Sequence, residues 1–380
     1  MLMPRIRCLI LVSLNLLLFT VKEKQKYSSI GGQAVIEGVM MRSPHAFVIA
    51  LRLLSKKIRL RKDQWYGASN KHKILKKPFL RGIMAVIESM ANGIVALNYS
   101  ANVAMQEEIL REQQAHPEKK IDRKKSDQLS EKIGIATFIT MAFSLLFGIG
   151  LFIFIPHWFT ILLGHTDVQS FEFHLVDGLM KSIIFVLYIF LIGLLPDIKK
   201  IFQYHGAEHK AIATFEAGEE LTISNAQKHS TLHPRCGTSF IFFLIFISIL
   251  IFSIIFASIN IGSLLPFWTK HIVIIFLKIL LMFPVAGISY EIIKIAGAYP
   301  NTWWSKVISI PGMVLQKITT KEPDDNQVEV AISSIKTVLF LEDKFTLKEQ
   351  KEKILKLEEI EVDSLDEIEK SGLKLSDFLE

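Results

Sequence analysis

Four long windows almost empty of charge decide what this chain can fold into. Residues 133–155 carry no charge, and 181–195 are apolar apart from Lys181 at the edge. Residues 239–261 are charge-free and rich in Phe and Ile, and 271–293 hold only Lys278 and Glu291. About 20 apolar residues cross the hydrocarbon core of a bilayer, and soluble cores rarely contain runs of that length. The mean hydropathy of +0.36 agrees. The expectation is a mainly α, polytopic membrane protein with about four transmembrane helices, the second the shortest. The glycine-flanked run 31–44 and the alternating apolar and basic residues of 45–60 predict a small β element in a cap outside the bilayer.

Charge sets the expected orientation. The region 22–132 has more Lys and Arg than Asp and Glu, and the loop 197–237 carries Lys199, Lys200, Lys210, Lys228 and Arg235. The loop 157–178 has no Lys or Arg, only Asp167, Glu172 and Asp177 with three His. Cation-rich segments stay inside, which predicts an inner (plasma) membrane protein with the N-terminal region, the 197–237 loop and the C-terminal tail in the cytoplasm. The net charge of +7 then suits an anionic leaflet. The cations are interspersed with carboxylates and form no single patch, so nucleic acid is not expected as a partner.

Five segments follow. Residues 1–21, with Arg5 and Arg7 before a short apolar stretch, read as a weak anchor or an extension. Residues 22–132 form a cytoplasmic region, in which 83–105 reads as an amphipathic helix lying on the membrane or against the spans; Glu88, Asn92 and Asn98 disfavour a fifth span. Residues 133–296 are the four-span region, 297–340 a cytoplasmic cap, and 341–380 a charged helical tail. Two cysteines, Cys8 and Cys236, make no disulfide framework.

The chemistry concentrates in the 197–237 loop. His205-Gly206-Ala207-Glu208-His209 has H-x-x-E-H spacing. On a helix, positions i, i+3 and i+4 share a face, so two imidazoles and a carboxylate converge as in a transition-metal site. His205 and His209 would be ligands and Glu208 the general base. His233 and Cys236 follow on a turn made by Pro234 and Gly237. The third protein ligand is left open among His233, Cys236, Glu216 and Glu291. Glu37 reaches a metal or headgroup, or caps a backbone end beside Gly38. The cofactor expected is a divalent transition metal, zinc by ligand type.

Several stretches also resemble a known family. GGQAVIEGVMMRSP, LRGIMAVIESMANGIVALNYSA, FQYHGAEHKAIATFEAGEELT, LHPRCGTSF, FPVAGISYEIIKIAG and PGMVLQKITTKEPDDNQVEVAI are similar, in that order, to the bacterial YqhQ-like family. The resemblance runs from about Gly31 to about Leu339. It implies a multi-pass membrane protein with a metal site and supplies no substrate or reaction. Its motif residues here are Glu37, His205, Glu208, His209, Glu216, His233, Arg235, Cys236, Tyr290, Glu291 and the 316–323 stretch.

Three functions compete. A metal-dependent enzyme, a hydrolase by analogy with inverted-zincin spacing, uses the loop pinned between two spans. A non-enzymatic scaffold or assembly factor would use the polar motifs as a packed cap. A transporter, which at four spans per chain would require a homo-oligomer, ranks last because few charged groups lie within the spans.

Overall fold

The computed structural model describes residues 30–64, 73–115, 139–140, 142–259, 266–299, 302–347 and 358–364. The segment 1–21, the linker 116–138 and most of the tail lie outside the described residues. The protein is a mainly α membrane protein with a small antiparallel sheet.

The sheet is a meander of β1 (Gly31–Val35), β2 (Gly38–Arg42), β3 (Ala46–Arg52) and β4 (Ile58–Gln64), closed at its last edge by β5 (Glu358–Val362). β3 shows why it forms. Ala46, Val48 and Ala50 enter one hydrophobic cluster, whereas Phe47, Ile49 and Leu51 enter another, the two-residue alternation of a strand covered on both faces. β5 corrects the expectation of a wholly helical tail at 341–380. Its register sets Ile58 against Val362. Val362 is buried, while Glu361 pairs with Arg59 at 2.6 Å, so alternation decides for a strand there.

The helices are α1 (Leu80–Ala115), α2 (Ala142–Leu162), α3 (Phe171–Ile192), α4 (Pro196–Ala217), α5 (Ile223–Gln227), α6 (Gly237–Ser258), α7 (Phe267–Ala298), α8 (Trp303–Thr319) and α9 (Asp325–Leu347). α4 and α9 cover one face of the sheet, with Tyr204, Ala207 and Ala211 against Val330, Ile332 and Ile335. α1 covers the other through Ala96, Tyr99 and Val103.

Five helices are long and apolar enough to cross a membrane: α2, α3, α6, α7 and α1 up to Glu112. By length and composition this is close to the expected count of about four. α1 is nevertheless tied to the sheet along its second half, where Glu107 also accepts the Leu54 N–H at 2.8 Å. Its first turn meets α7 at Gly287 and Glu291. α7 has 32 residues, about 48 Å at 1.5 Å per residue, against a hydrocarbon core of about 30 Å. Its C-terminal turns are the part that meets the start of α1. Region 22–132 thus contributes both a sheet and a helix that touches the bundle.

The bundle of α2, α3, α6 and α7 packs around Phe173, Phe252, Phe256 and Ile274. It also corrects the expectation of spans nearly free of charge. His157, His174 and Asp177, read from sequence as loop residues, lie on α2 and α3, and they are buried with His271 and Lys278 of α7. Helix continues through these polar positions because their partners lie inside the bundle. α8 runs through Pro311 and presents Trp303, Val307, Ile310 and Val314 on its exposed face. That face suits the bilayer surface.

Candidate metal centre

α4 starts with Pro196 at its first turn and ends on Gly218, whose φ of 72° is left-handed. These are the favoured stop and start residues for a helix. Between them the helix is wedged among β1, α9, the 228–236 segment and the end of α8. Gly206 is the point of closest approach: a Cβ there would stand 2.2 Å from the Lys321 carbonyl oxygen. Only glycine admits that contact.

The close approach aims the two imidazoles. His205 Nδ1 lies 2.9 Å from the Thr319 carbonyl oxygen, and His209 Nδ1 lies 2.5 Å from the Thr231 carbonyl oxygen. A carbonyl only accepts, so each Nδ1 carries the hydrogen, and each neutral ring keeps its lone pair on Nε2. His205 Nε2 sits 3.2 Å from Cys236 Sγ. His209 Nε2 is buried with no hydrogen-bond partner among the described residues. The two rings are 4.4 Å apart between centroids. The ligand atoms of His205, His209 and Cys236 all lie within 4.8 Å of one another. Ligands around a tetrahedral zinc stand about 3.3–3.8 Å apart, so small side-chain rotations would bring three donors onto one ion and leave a fourth position open. Burial holds the His209 imidazole below its ordinary value, against the pull of the nearby Cys236 thiol, which favours the neutral form that can ligate.

The other predicted residues divide. Glu208 is buried close enough to His205 and His233 to feel their charge and accepts the Gly32 N–H; burial pushes its carboxyl above the ordinary value. A Cβ on Gly32 would meet Glu208 Oε1 at 2.8 Å, so β1 approaches the carboxylate by its backbone. His233 lies beside the site, 5.7 Å from His209 between ring centroids, but its nitrogens face elsewhere. Its Nε2 is 3.3 Å from Glu216, and its Nδ1 accepts the Arg235 N–H at 3.4 Å. Glu216 also pairs with the Arg235 guanidinium. His233, Glu216 and Arg235 therefore form a flanking cluster outside the donor set.

Glu37 and Glu291 are not brought to the centre. Glu37 occupies the β1–β2 turn at φ 57°, and its carboxylate takes Lys200 at 2.6 Å. Glu291 grips Arg81, with Arg81 Nε 2.7 Å away, and accepts the Phe79 N–H. Both acids have nearby cations and no route to the imidazoles, so they drop out as ligands.

Comparison with known proteins places the chain. Residues 77–340 match the family model described as "Protein of unknown function (DUF1385)". The chain belongs to the DUF1385 family. Over 332 residues it is 35% identical to "Uncharacterized protein YqhQ" of Bacillus subtilis (strain 168), covering 85% of this chain and 95% of that one. No solved structure matches. The family region contains every residue of the donor set, whereas Gly32 and the first four strands precede it.

The roles of three parts of the site lie beyond the sequence motifs, although Gln316 and Thr319 fall in the 316–323 stretch that the family resemblance marks. Gln316, fully buried, fixes the 233 backbone. The carbonyls of Thr231 and Thr319 choose the tautomers. Gly206, a glycine inside a helix, was the available signal, because that placement costs about 1 kcal/mol unless a neighbour needs the space.

Beside Cys236 opens a cavity of about 1070 Å³ between α1, the start of α6, the end of α7 and α8. Met90, Ile94, Phe240, Phe243 and Met313 give it apolar walls, and Gln33, Arg235 and Cys236 also line it.

Proposed function

We propose that this protein is a metal-dependent hydrolase at the membrane surface, with His205, His209 and Cys236 holding a divalent transition metal. One observation carries the reading: two imidazoles present their lone-pair nitrogens to one thiol, and one of those nitrogens is buried without a hydrogen-bond partner among the described residues. A mixed nitrogen and thiolate set favours zinc.

The residues divide the work. His205 and His209 are oriented by backbone carbonyls, which raises ligand basicity and fixes ring direction. Cys236, the residue just before α6, would supply charge as a thiolate ligand. A metal held there would supply Lewis-acid activation of water. Glu208, whose carboxyl burial has made a better proton acceptor, takes up the proton. The apolar cavity meeting the thiol admits a substrate with a hydrocarbon body, drawn from the adjoining leaflet. The cation-rich 197–237 segment supports placing this face in the cytoplasm.

The test is metal content and turnover on the same preparation. Protein purified in detergent and analysed by inductively coupled plasma mass spectrometry carries close to stoichiometric zinc, and His209→Ala loses it. Incubated with a membrane lipid extract, the wild type releases water-soluble or fatty-acid products, and Glu208→Gln retains metal without releasing them. A wild type with no more metal than His209→Ala rejects the reading.

A further inference from the structure

A second polar cluster lies within the bundle, on the side away from the sheet. His271 Nδ1 is 2.8 Å from His157 Nε2, and His157 Nδ1 is 3.3 Å from Lys278 Nζ. Lys278 Nζ is 2.8 Å from Asp177 Oδ2, and the same oxygen takes Lys181 Nζ at 2.7 Å. Five ionisable side chains from three helices thus form one continuous hydrogen-bonded chain. Lys278 lies 11 residues into α7 from Phe267, about 16 Å along the axis, or about half the thickness of a hydrocarbon core. His271 lies close to the membrane face.

Charge and geometry give the chain a direction. Two ammonium groups share one carboxylate, so among the described residues one positive charge of the pair has no counterion; Lys278 Nζ also meets the Phe173 ring, 5.1 Å from its centroid, and Lys181 the Phe252 ring at 5.6 Å. Uncompensated charge at that depth is costly, and losing a proton removes it. Lys278 as an ammonium donates to His157 Nδ1. His157 then carries its hydrogen on Nε2 and donates to His271 Nδ1, and the remaining hydrogen of His271 is on Nε2. Each donor points toward the membrane face. Asp177 Oδ1 is buried without a partner among the described residues, which marks a place for water. Around the chain stand His174 on α3 and Lys270 on α7, while α6 brings no ionisable group. Trp158 stacks on His271, 5.3 Å between centroids, and Phe267 lies 4.3 Å away, so outside water reaches the buried His271 past these rings.

We propose that the chain His271–His157–Lys278–Asp177–Lys181 is an intramembrane proton relay, which releases and takes up a proton at the face opposite the metal centre. In release, the Lys278 N–H bond breaks as His157 Nδ1 gains the proton. The His157 Nε2–H bond breaks as His271 Nδ1 gains one, and His271 Nε2–H passes its proton to water outside, forming hydronium. Uptake reverses each transfer. The relay stands independently of the metal reading, and it restores transport coupled to protons as a use for this bundle.

The experiment follows proton release by full-length protein in nanodiscs after an alkaline pH jump, read with a soluble pH dye, alongside Trp fluorescence. The wild type is expected to release about one proton more per chain than Lys278→Met, whose remaining Lys181–Asp177 pair is charge-balanced. His271→Gln, which keeps a polar group but cannot pass a proton through a ring, is expected to release the same amount at least about tenfold more slowly. A pH-dependent fluorescence change is expected in the wild type and lost in Trp158→Phe. Equal release from the wild type and Lys278→Met, or wild-type kinetics in His271→Gln, overturns the proposal and leaves the cluster a structural tie. Should Lys278→Met fail to elute as a monodisperse peak, the His271→Gln rate decides alone.

Discussion

Gln316 holds His233 by both of its backbone polar groups: its Oε1 accepts the His233 N–H at 2.8 Å, and its Nε2 donates to the His233 carbonyl at 2.9 Å. The amide comes from α8 and the clasped residue from the segment leading to Cys236. The side chain therefore sets where the thiol enters the donor cluster. Gln316→Ala removes two buried hydrogen bonds and strands both backbone groups, a loss of about 2–3 kcal/mol. Zinc affinity is expected to fall at least about tenfold, as when groups supporting a ligand are removed. Thermal unfolding and competition with a chromophoric chelator measure the two effects.

Metal retention separates donors from neighbours. His205→Ala, His209→Ala and Cys236→Ser each remove a convergent donor and are expected to strip the metal during dialysis. Glu37→Gln and Glu291→Gln are expected to keep it, because those carboxylates serve Lys200 and Arg81. His233→Gln is expected to keep most of it as well, since that ring faces Glu216. Metal analysis of the six variants checks this order.

Gly206→Ala is expected to destabilise the protein by about 1–3 kcal/mol, the usual effect of forcing an extra carbon into a filled space. Its Cβ would fall 2.2 Å from the Lys321 carbonyl oxygen, and a backbone atom cannot swing aside. Gly148→Ala, where a Cβ meets nothing within 4 Å, is the control and is expected to be neutral or slightly stabilising. Thermal unfolding of both variants in detergent measures the difference.

Glu291→Gln is expected to loosen the start of α1 from α7. The wild-type carboxylate accepts both Arg81 and the Phe79 N–H, and a partly exposed paired arginine contributes about 1 kcal/mol. Limited proteolysis near 77–81 should accelerate in the variant while zinc content stays constant. Unchanged cleavage would show that the Gly82 and Gly287 packing alone docks the helix.

Much was legible in the residue order. Window length and apolarity determine a membrane bundle, two-residue alternation determines β3, and H-x-x-E-H spacing places His205, Glu208 and His209 along one stretch of helix. Those are local properties, set by backbone geometry within a few residues. Tertiary structure decided the rest. It turned His233 toward Glu216 and brought Cys236 to His205. It laid α1 along the sheet despite its apolarity, and it joined His157, Asp177 and Lys278 from three separate helices. The physical reason is that a side chain's partner is chosen by whichever group the fold carries within about 3 Å, and for these residues that group lies 17 to 121 positions away in the chain.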